Sequence, residues 1–417
     1  MKISRQKIYK SHFLLSYIKS LSFFNVATSK TKLINFFIMK FGSPPIFIGR
    51  ARFGINLACL FAIQSTGKKK CIMSPLTILD LANMVRNTGA EIEFYDFERK
   101  TLQIDIVSLE KIFAKGSVAS LIVTHYYGAD PRIEDLVLLC KKYSVILIED
   151  CAISIGSYSK GKSVGSFGDI SVFSFSLFKF LNFFWGGSII CKNKDAYDYI
   201  DKKVAKYKSL SIYEYFPQFI KFIKFGLVTT KPIYSLFFYF FRFGLKHNIK
   251  FIKNNIQNDP FLLYTGVVES SCYSVPHNSF YIELSSKIAN VFYELEERRI
   301  KSQYLFTKFS DLNINLLKPG FSINDSSLIN YPLIFESEKI RDEMAAYLLE
   351  KGIDCSKQLY RNIHNVEGYK QIKGNTDNIN ETIPLLLFLP IHRGINFTEI
   401  VKVADFVCDF FEVQSRY

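Results

Sequence analysis

Apolar runs of four to seven residues alternate with longer amphipathic stretches between residues 45 and 191. The predicted strands cover 70–73, 91–95, 119–124, 145–148, 170–174 and 187–191, and the predicted helices between them cover 55–64, 78–88, 104–114 and 133–143. Alternation of this kind predicts an α/β fold in which helices flank a mostly parallel sheet. Ligands of such sheets bind at the carboxyl ends of the strands, where His125 and Asp150 fall.

The pattern divides the 417 residues into three parts, a length that suits two domains. Residues 1–48 form a basic and aromatic lead-in, and residues 49–270 form the large domain. Residues 271–417 are predicted to form a long connecting helix (283–309) and a smaller C-terminal α+β domain. That domain has a strand at 331–335, a helix at 339–351, a second strand within 381–390 and a closing helix at 397–411.

Residues 205–255 interrupt the alternation of strands and helices with a segment rich in Phe, Tyr, Ile and Lys. One interpretation is a helical insertion that packs on the protein body or on a second subunit. The other is an interfacial segment that lies on an anionic membrane. A membrane-spanning helix is not expected, because Lys231, Pro232 and Arg242 interrupt the apolar run.

Charge and cysteine usage limit the function classes. The net charge of +15 favours polyanionic partners such as phosphorylated small molecules or acidic lipid. The longest basic run is Lys68–Lys70, so a nucleic-acid-binding arm is not expected. Eight cysteines without a CxxC pair are typical of reduced structural thiols in a cytosolic protein, and no metal site is predicted. The basic N-terminus lacks the apolar core and cleavage site of a signal peptide.

Two polar residues lie about thirty positions apart, each beside an apolar strand-like run. Asp150 ends one such run, and Lys179 follows another in the aromatic stretch FSFSLFKFL. A carboxylate can hold a protonated pyridine nitrogen, and a buried amine of lowered pKa can form an imine with an aldehyde. Pyridoxal phosphate requires both contacts. Taken singly, Asp150 also suits a helix N-cap, and Lys179 also suits a lysine that extends from an apolar face to solvent.

Three further residues are candidates for the same site. Ser174 offers a hydroxyl to a phosphate, or else faces solvent from a strand. His125, in THYYG, either stacks on a cofactor ring or ends a strand as an ordinary histidine. Gly54 precedes a predicted helix and can let backbone N–H groups approach a phosphate there.

Together these residues carry a resemblance to the DegT/StrS family of sugar aminotransferases, which are fold type I pyridoxal-phosphate enzymes. The resemblance covers most of residues 50–410. It depends on NTGAEIEFYD (87–96), THYYGADPRIEDL, IEDCA, YSKGKSVGSFGDISVFSF, Lys179 followed by Gly186-Gly187, EKGID (350–354) and LPIHRGINFTEI (389–400). By position, Lys179 resembles the lysine that forms the imine, Asp150 the partner of the pyridinium and Ser174 a phosphate ligand. Asn278 resembles the asparagine that reaches the phosphate from the neighbouring subunit.

The resemblance implies an aminotransferase that converts a nucleotide-linked keto-sugar to an amino-sugar for surface polysaccharide or lipopolysaccharide. It implies pyridoxal 5'-phosphate as cofactor, glutamate as amino donor and a cytoplasmic homodimer with shared sites. The aromatic insertion suggests peripheral contact with the inner face of a membrane. One alternative is another reaction on the same cofactor, such as dehydration. The other is a non-catalytic, membrane-associated scaffold.

Five positions depart from the family pattern and favour the scaffold alternative. The family has Gly-Thr in its N-terminal phosphate loop, an aromatic residue over the cofactor, Gln or His after the Asp, Arg near the Asn and an acidic residue before the Gly pair. The corresponding residues here are Gly54-Ile55, Ile78, Ile153, Phe280 and Trp185. Each lost hydrogen bond to a charged group is worth about 1.5–3 kcal/mol.

Overall fold

The computed structural model describes residues 2–4, 13–128, 132–177, 179–183, 185–246, 272–316, 322–357 and 360–414. The helices are α1 (Phe13–Ser20), α2 (Phe23–Phe41), α3 (Ala51–Thr66), α4 (Leu79–Arg86), α5 (Ile106–Phe113), α6 (Ile133–Tyr143), α7 (Lys194–Val204), α8 (Ile212–Val228), α9 (Lys231–Lys246), α10 (Asn278–Lys308), α11 (Glu338–Glu350), α12 (Asp377–Thr382) and α13 (Phe397–Gln414). The strands are β1 (Pro45–Ile48), β2 (Lys70–Met73), β3 (Leu76–Thr77), β4 (Glu91–Phe94), β5 (Val118–Thr124), β6 (Ile146–Asp150), β7 (Tyr158–Ser159), β8 (Lys162–Ser163), β9 (Ile170–Ser174), β10 (Gly187–Cys191), β11 (Lys208–Ser209), β12 (Ser274–Val275), β13 (Asn330–Ile334), β14 (Arg361–Asn362), β15 (Lys373–Gly374) and β16 (Leu386–Pro390).

An eight-stranded sheet in the order β1-β10-β9-β6-β5-β2-β4-β15 forms the centre of the molecule. The pairs from β9 to β15 are parallel, and β10 is antiparallel to both of its neighbours. Strands β5 and β9 are buried along their whole length, which is typical of parallel strands covered on both faces. The predicted α/β fold with a mostly parallel sheet is therefore confirmed.

Helix α3 packs across this sheet, and Gly54 makes the close approach possible. A Cβ at this position would lie 2.9 Å from both Ile48 Cδ1 and Val172 Cγ1. Helix α3 begins at Ala51, four residues before the predicted start at 55. Gly54 is therefore inside the helix, and its small size serves the packing of the helix on the sheet.

Residues 13–41 form two helices for which the sequence pattern gave no signal. Helix α2 buries Leu33, Phe36, Phe37 and Phe41, and it packs with α1 against the long helix α10. The predicted insertion also contains two helices, α8 and α9. Its residues 247–255, and the proposed boundary at 270, lie outside the described residues.

The C-terminal part is connected to the large sheet by short strands. Strands β13 and β16 pair with each other, in a region that α11 and α13 cover. By contrast, β15 extends the large sheet beside β4, and β14 pairs with β3. The chain therefore returns to the central sheet after the long helix, which the sequence pattern did not indicate.

Within the described ranges, none of the helices combines the length and apolar character that crossing a bilayer requires.

Candidate active site

A cavity of about 250 Å³ lies at the carboxyl ends of β5, β6 and β9. The strand register explains this position, because Thr124 is paired with Asp150 and Asp150 is paired with Val172. All three side chains therefore reach the same edge of the sheet, where open α/β sheets bind their ligands. The residues that line the cavity are Arg50, Ala51, Arg52, Ile55, Thr77, Ile78, Leu81, Thr124, Asp150, Ala152, Ile153, Val172, Ser174, Ser176, Lys179, Trp185, Gly186 and Tyr360.

Asp150 and Lys179 both lie on the wall of this cavity. Burial shifts the pKa of each side chain toward its neutral form. Burial raises the pKa of the Asp150 carboxyl, while the Ala152 N–H and the Lys179 amine oppose that rise. Burial lowers the pKa of the Lys179 amine, and Asp150 opposes that fall. The arrangement thus provides an amine that loses its proton more readily than a surface lysine, and a carboxylate that gains from a cationic partner.

Aromatic packing holds the loop that carries Lys179. Phe183 N–H donates to the Phe175 carbonyl at 2.7 Å, which folds the chain back after strand β9. The rings of Phe175 and Phe183 each lie within 5.6 Å of the Phe280 ring, centroid to centroid. The many phenylalanines around Lys179 therefore anchor its loop on the first turn of α10.

Glu149, next to Asp150, is buried and its oxygens have five hydrogen-bond partners. Oε1 accepts from the N–H groups of Phe167 and Gly168 and from the Ser171 hydroxyl, and Oε2 accepts from Gly165 N–H and faces His125 Nε2 at 2.9 Å. Burial opposes ionisation of Glu149, but His125 and these N–H groups outweigh it and hold the pKa of its carboxyl below the usual value. The network fixes the end of β6 from which Asp150 projects.

Replacing Glu149 by glutamine should lower the free energy of unfolding at neutral pH by at least about 2 kcal/mol, because the amide NH₂ group cannot accept a hydrogen bond from the buried donors. The carboxylate contributes its stability above its unfolded pKa, about 4.3, and loses it as the pH falls through the lower folded pKa. Urea denaturation between pH 3 and about pH 7 measures both effects. Ser171→Ala, which removes only the 3.2 Å contact, is the matched control. Equal stability of Glu149→Gln and wild type would show that the hydrogen bonds of the Glu149 carboxylate do not stabilise the fold.

The helix terminus at the cavity is formed by Arg50, Ala51 and Arg52 rather than by Gly54. Arg50 is the N-cap of α3, and Gly54 does not line the cavity. Gly54 therefore lies about one helical turn beyond the helix terminus that faces the cavity, and Ile55 lines the cavity from the same helix. Because the first N–H groups of a helix have no partner within it, this terminus can hold an anion.

Two serines face the same cavity. The hydroxyls of Ser174 and Ser176 lie 3.3 Å apart, and both residues line the cavity. The structure thus brings Ser174 together with Asp150 and Lys179.

His125 and Asn278 lie elsewhere. His125 is buried against Glu149, and it does not line the cavity. Asn278 is exposed at the first residue of α10, also outside the cavity of its own chain.

Four of the five departures from the family pattern lie on the cavity wall. Ile55, Ile78 and Ile153 make that wall apolar. The guanidinium carbon of Arg50 lies 3.3 Å from the centroid of the Trp185 ring, so Trp185 packs with a cation. Phe280 instead belongs to the aromatic packing beneath the Lys179 loop, and a Cβ on Gly186 would lie 2.5 Å from its ring.

Several polar residues of the cavity were missed from the sequence, namely Arg50, Arg52, Thr77, Thr124, Ser176 and Tyr360. Thr124 carried a signal, since it ends the predicted strand immediately before His125. Its hydroxyl lies 3.5 Å from Asp150 Oδ2. The sequence contained no signal for Arg50 and Arg52, because the predicted helix began after them.

Comparisons with known proteins agree with this geometry. Residues 54–218 match the model of the DegT/DnrJ/EryC1/StrS aminotransferase family. The chain is 35% identical over 139 residues to GDP-perosamine synthase of Escherichia coli O157:H7, a match that covers 33% of this chain and 38% of that protein. It is 35% identical over 131 residues to UDP-4-amino-4,6-dideoxy-N-acetyl-beta-L-altrosamine transaminase of Campylobacter jejuni subsp. jejuni serotype O:23/36, covering 31% and 35%. The matches thus span little more than a third of these relatives' own lengths.

Solved structures resemble the chain over nearly its whole length. The aminotransferase TlmJ from Streptoalloteichus hindustanus has a TM-score of 0.70 at 16% identity, covering 99% of this chain and 100% of its own. PseC from Helicobacter pylori, an aminotransferase involved in the biosynthesis of pseudoaminic acid, has a TM-score of 0.69 at 18% identity, with the same coverage. At these identities the likeness establishes the fold. Over residues 54–218, this chain is similar to the DegT/DnrJ/EryC1/StrS aminotransferase family.

Proposed function

We propose that this protein is a pyridoxal-phosphate-dependent aminotransferase that converts a nucleotide-linked keto-sugar to an amino-sugar for surface polysaccharide or lipopolysaccharide. One observation carries the proposal: the Asp150 carboxylate and the Lys179 amine lie on the wall of one cavity at the carboxyl edge of the sheet. An amine of lowered pKa and a buried carboxylate are the two groups that this cofactor requires of a protein.

The donor set of the cavity suits pyridoxal phosphate. Asp150 would hold the protonated ring nitrogen, and Lys179 would bond the aldehyde carbon. The hydroxyls of Ser174 and Ser176 and the N-terminus of α3 would hold the phosphate, close to the cation of Arg52. When bound, the cofactor supplies an electron sink for the substrate carbon that loses its proton.

The residues of this chain would do the rest of the chemistry. Lys179 would move the proton between the cofactor carbon and the sugar carbon, since burial lowers the pKa of its amine and so favours the neutral form. Asp150 would keep the proton on the ring nitrogen. The apolar side chains of Ile55, Ile78 and Ile153 would limit water at the reacting atoms.

The substrate proposal follows from charge and from the relatives. The net charge of +15 attracts anions, and a sugar nucleotide carries a diphosphate. The names of the two curated relatives describe a GDP-linked and a UDP-linked sugar. An amino donor is also required, and we propose glutamate.

A homodimer with shared sites is part of the proposal. Asn278 is exposed and does not line the cavity of its own chain. This placement is consistent with a role in the site of a neighbouring subunit. We place the enzyme in the cytoplasm, where sugar nucleotides are available.

Purified protein mixed with pyridoxal phosphate tests the proposal. We expect a new visible absorbance band, and after borohydride reduction we expect the cofactor mass on the peptide that contains Lys179. With nitrogen-15-labelled glutamate and a panel of keto-sugar nucleotides, the label should appear in the sugar product. Loss of water without label would indicate dehydration instead, and absence of both band and adduct would favour a non-catalytic scaffold.

A further inference from the structure

Helices α8 and α9 each carry large apolar side chains on an exposed face as well as on a buried one. On their inner faces Tyr215 of α8 and Phe238 of α9 are fully buried. On the outer faces, large apolar side chains are exposed at helical spacing; these are Phe216, Ile223 and Leu227 in α8 and Ile233, Leu236 and Phe240 in α9. A helix that is apolar on both faces needs a cover on its outer face as well as on its inner one.

The turn between α1 and α2 exposes a second group of large apolar side chains. Leu21 is 74% exposed, Phe23 is 87% exposed and Phe24 is 76% exposed. Ser22, the N-cap of α2, accepts a hydrogen bond from Asn25 N–H, so these phenylalanines project from an ordered helix start. Three large apolar side chains within four residues at such exposures are unusual on a protein surface in water.

Helix α1 and the first turn of α8 lie close to each other. The ring of Tyr17 in α1 stacks on His277 at 5.5 Å, and the ring of Tyr215 in α8 meets the same imidazole at 6.1 Å, centroid to centroid. Helix α1 and the start of α8 therefore flank the same histidine, and we call the α1–α2 turn and the outer faces of α8 and α9 together the apolar surface.

The charge around the apolar surface distinguishes its possible partners. Residues 13–41, which form α1 and α2, contain no acidic residue, and neither do residues 215–246 of α8 and α9, which contain five Lys or Arg. In an isologous dimer the same patch meets itself, so a second copy would bring these cations against each other. An anionic lipid surface attracts these cations instead.

We propose that the apolar surface attaches this protein peripherally to an anionic membrane. The phenylalanines of the α1–α2 turn and the outer faces of α8 and α9 would enter the interface between headgroups and acyl chains. Lysines such as Lys19, Lys221 and Lys224, which are exposed, would remain among the headgroups. This inference goes beyond the proposed enzymatic function and does not depend on it.

Co-sedimentation with vesicles tests the proposal. The full-length protein, without added cofactor, is mixed with phosphatidylcholine vesicles with and without phosphatidylglycerol. We expect binding to the anionic vesicles only, reduced by high salt because screening weakens the lysine contacts. The double variant Phe23→Ser/Phe24→Ser, and separately Leu236→Ser/Phe240→Ser, should weaken that binding by at least about tenfold, since each removes large apolar side chains from the interface.

The matched control is Val107→Ser/Leu138→Ser, which removes two comparably exposed apolar side chains from α5 and α6. This control should bind vesicles like wild type, and all variants should keep their unfolding midpoints. Equal loss of binding in the control, or absence of binding by wild type, would overturn the proposal. A dimer that binds no vesicles and dissociates in Phe23→Ser/Phe24→Ser would overturn it in favour of a second copy. Because the assay measures binding alone, its result is independent of whether the protein transfers an amino group.

Discussion

Replacing Lys179 by alanine is expected to reduce amino transfer by about a thousandfold or more, because the variant loses both the covalent attachment of the cofactor and the group that moves the proton. Within the described part of the chain, Lys179 is the one lysine on the cavity wall, so no neighbouring amine can replace it. Turnover with the labelled donor measures the loss. Borohydride reduction should then leave no adduct on the peptide that contains residue 179.

Three controls separate chemistry from folding in this experiment. Lys179→Arg keeps a cation near Asp150 but has no amine that deprotonates at working pH, and it should be equally inactive. A small amine added to the solution should partly restore Lys179→Ala and not Lys179→Arg, whose side chain fills the space. Lys142→Ala removes an exposed lysine paired with Glu110 and should retain full activity. If Lys179→Ala kept a tenth of wild-type turnover, the assignment of Lys179 would be wrong.

Replacing Asp150 by asparagine is expected to weaken cofactor binding by about 1.5–3 kcal/mol, or roughly 10- to 100-fold in Kd, and to lower kcat as well. Asparagine is isosteric and can still accept the hydrogen bond from Ala152 N–H, so the loss reports the missing charge. Titration of the absorbance band with cofactor measures Kd. Asp135→Asn, which removes an exposed carboxylate paired with Arg132, should leave Kd unchanged.

The same variant has a second readout in protein without cofactor. The pKa of Lys179 lies below the usual value because of burial, and the Asp150 carboxylate opposes that fall. The amine should therefore be labelled by an amine-specific reagent at lower pH than an ordinary lysine, whose pKa is about 10.4. In Asp150→Asn the midpoint should move to still lower pH, because the opposing negative charge is gone. An unchanged or higher midpoint would contradict the electrostatic coupling of the two side chains.

Some of the site was predictable because local pattern and sheet geometry agree. Asp150 and Ser174 end predicted parallel strands, and such strand ends meet at one edge of the sheet. Their common cavity follows from that rule, whereas Lys179 reaches the cavity from the loop after β9. The start of α3 was predicted at residue 55 rather than at Ala51, because its N-cap Arg50 makes no side-chain capping hydrogen bond and so gives no sequence signal for a helix start.

The local pattern of apolar residues predicted the α/β architecture and the exact bounds of several elements, including β2, β9, β10 and α6, because periodic burial of apolar side chains is a local property. The positions of Arg50 and Arg52 at the cavity and of His125 against Glu149 could not be read from that local pattern. The same is true of the return of β14 and β15 to the large domain. These features depend on contacts between residues far apart in the chain, and strands of two residues carry too few side chains to produce a pattern of their own.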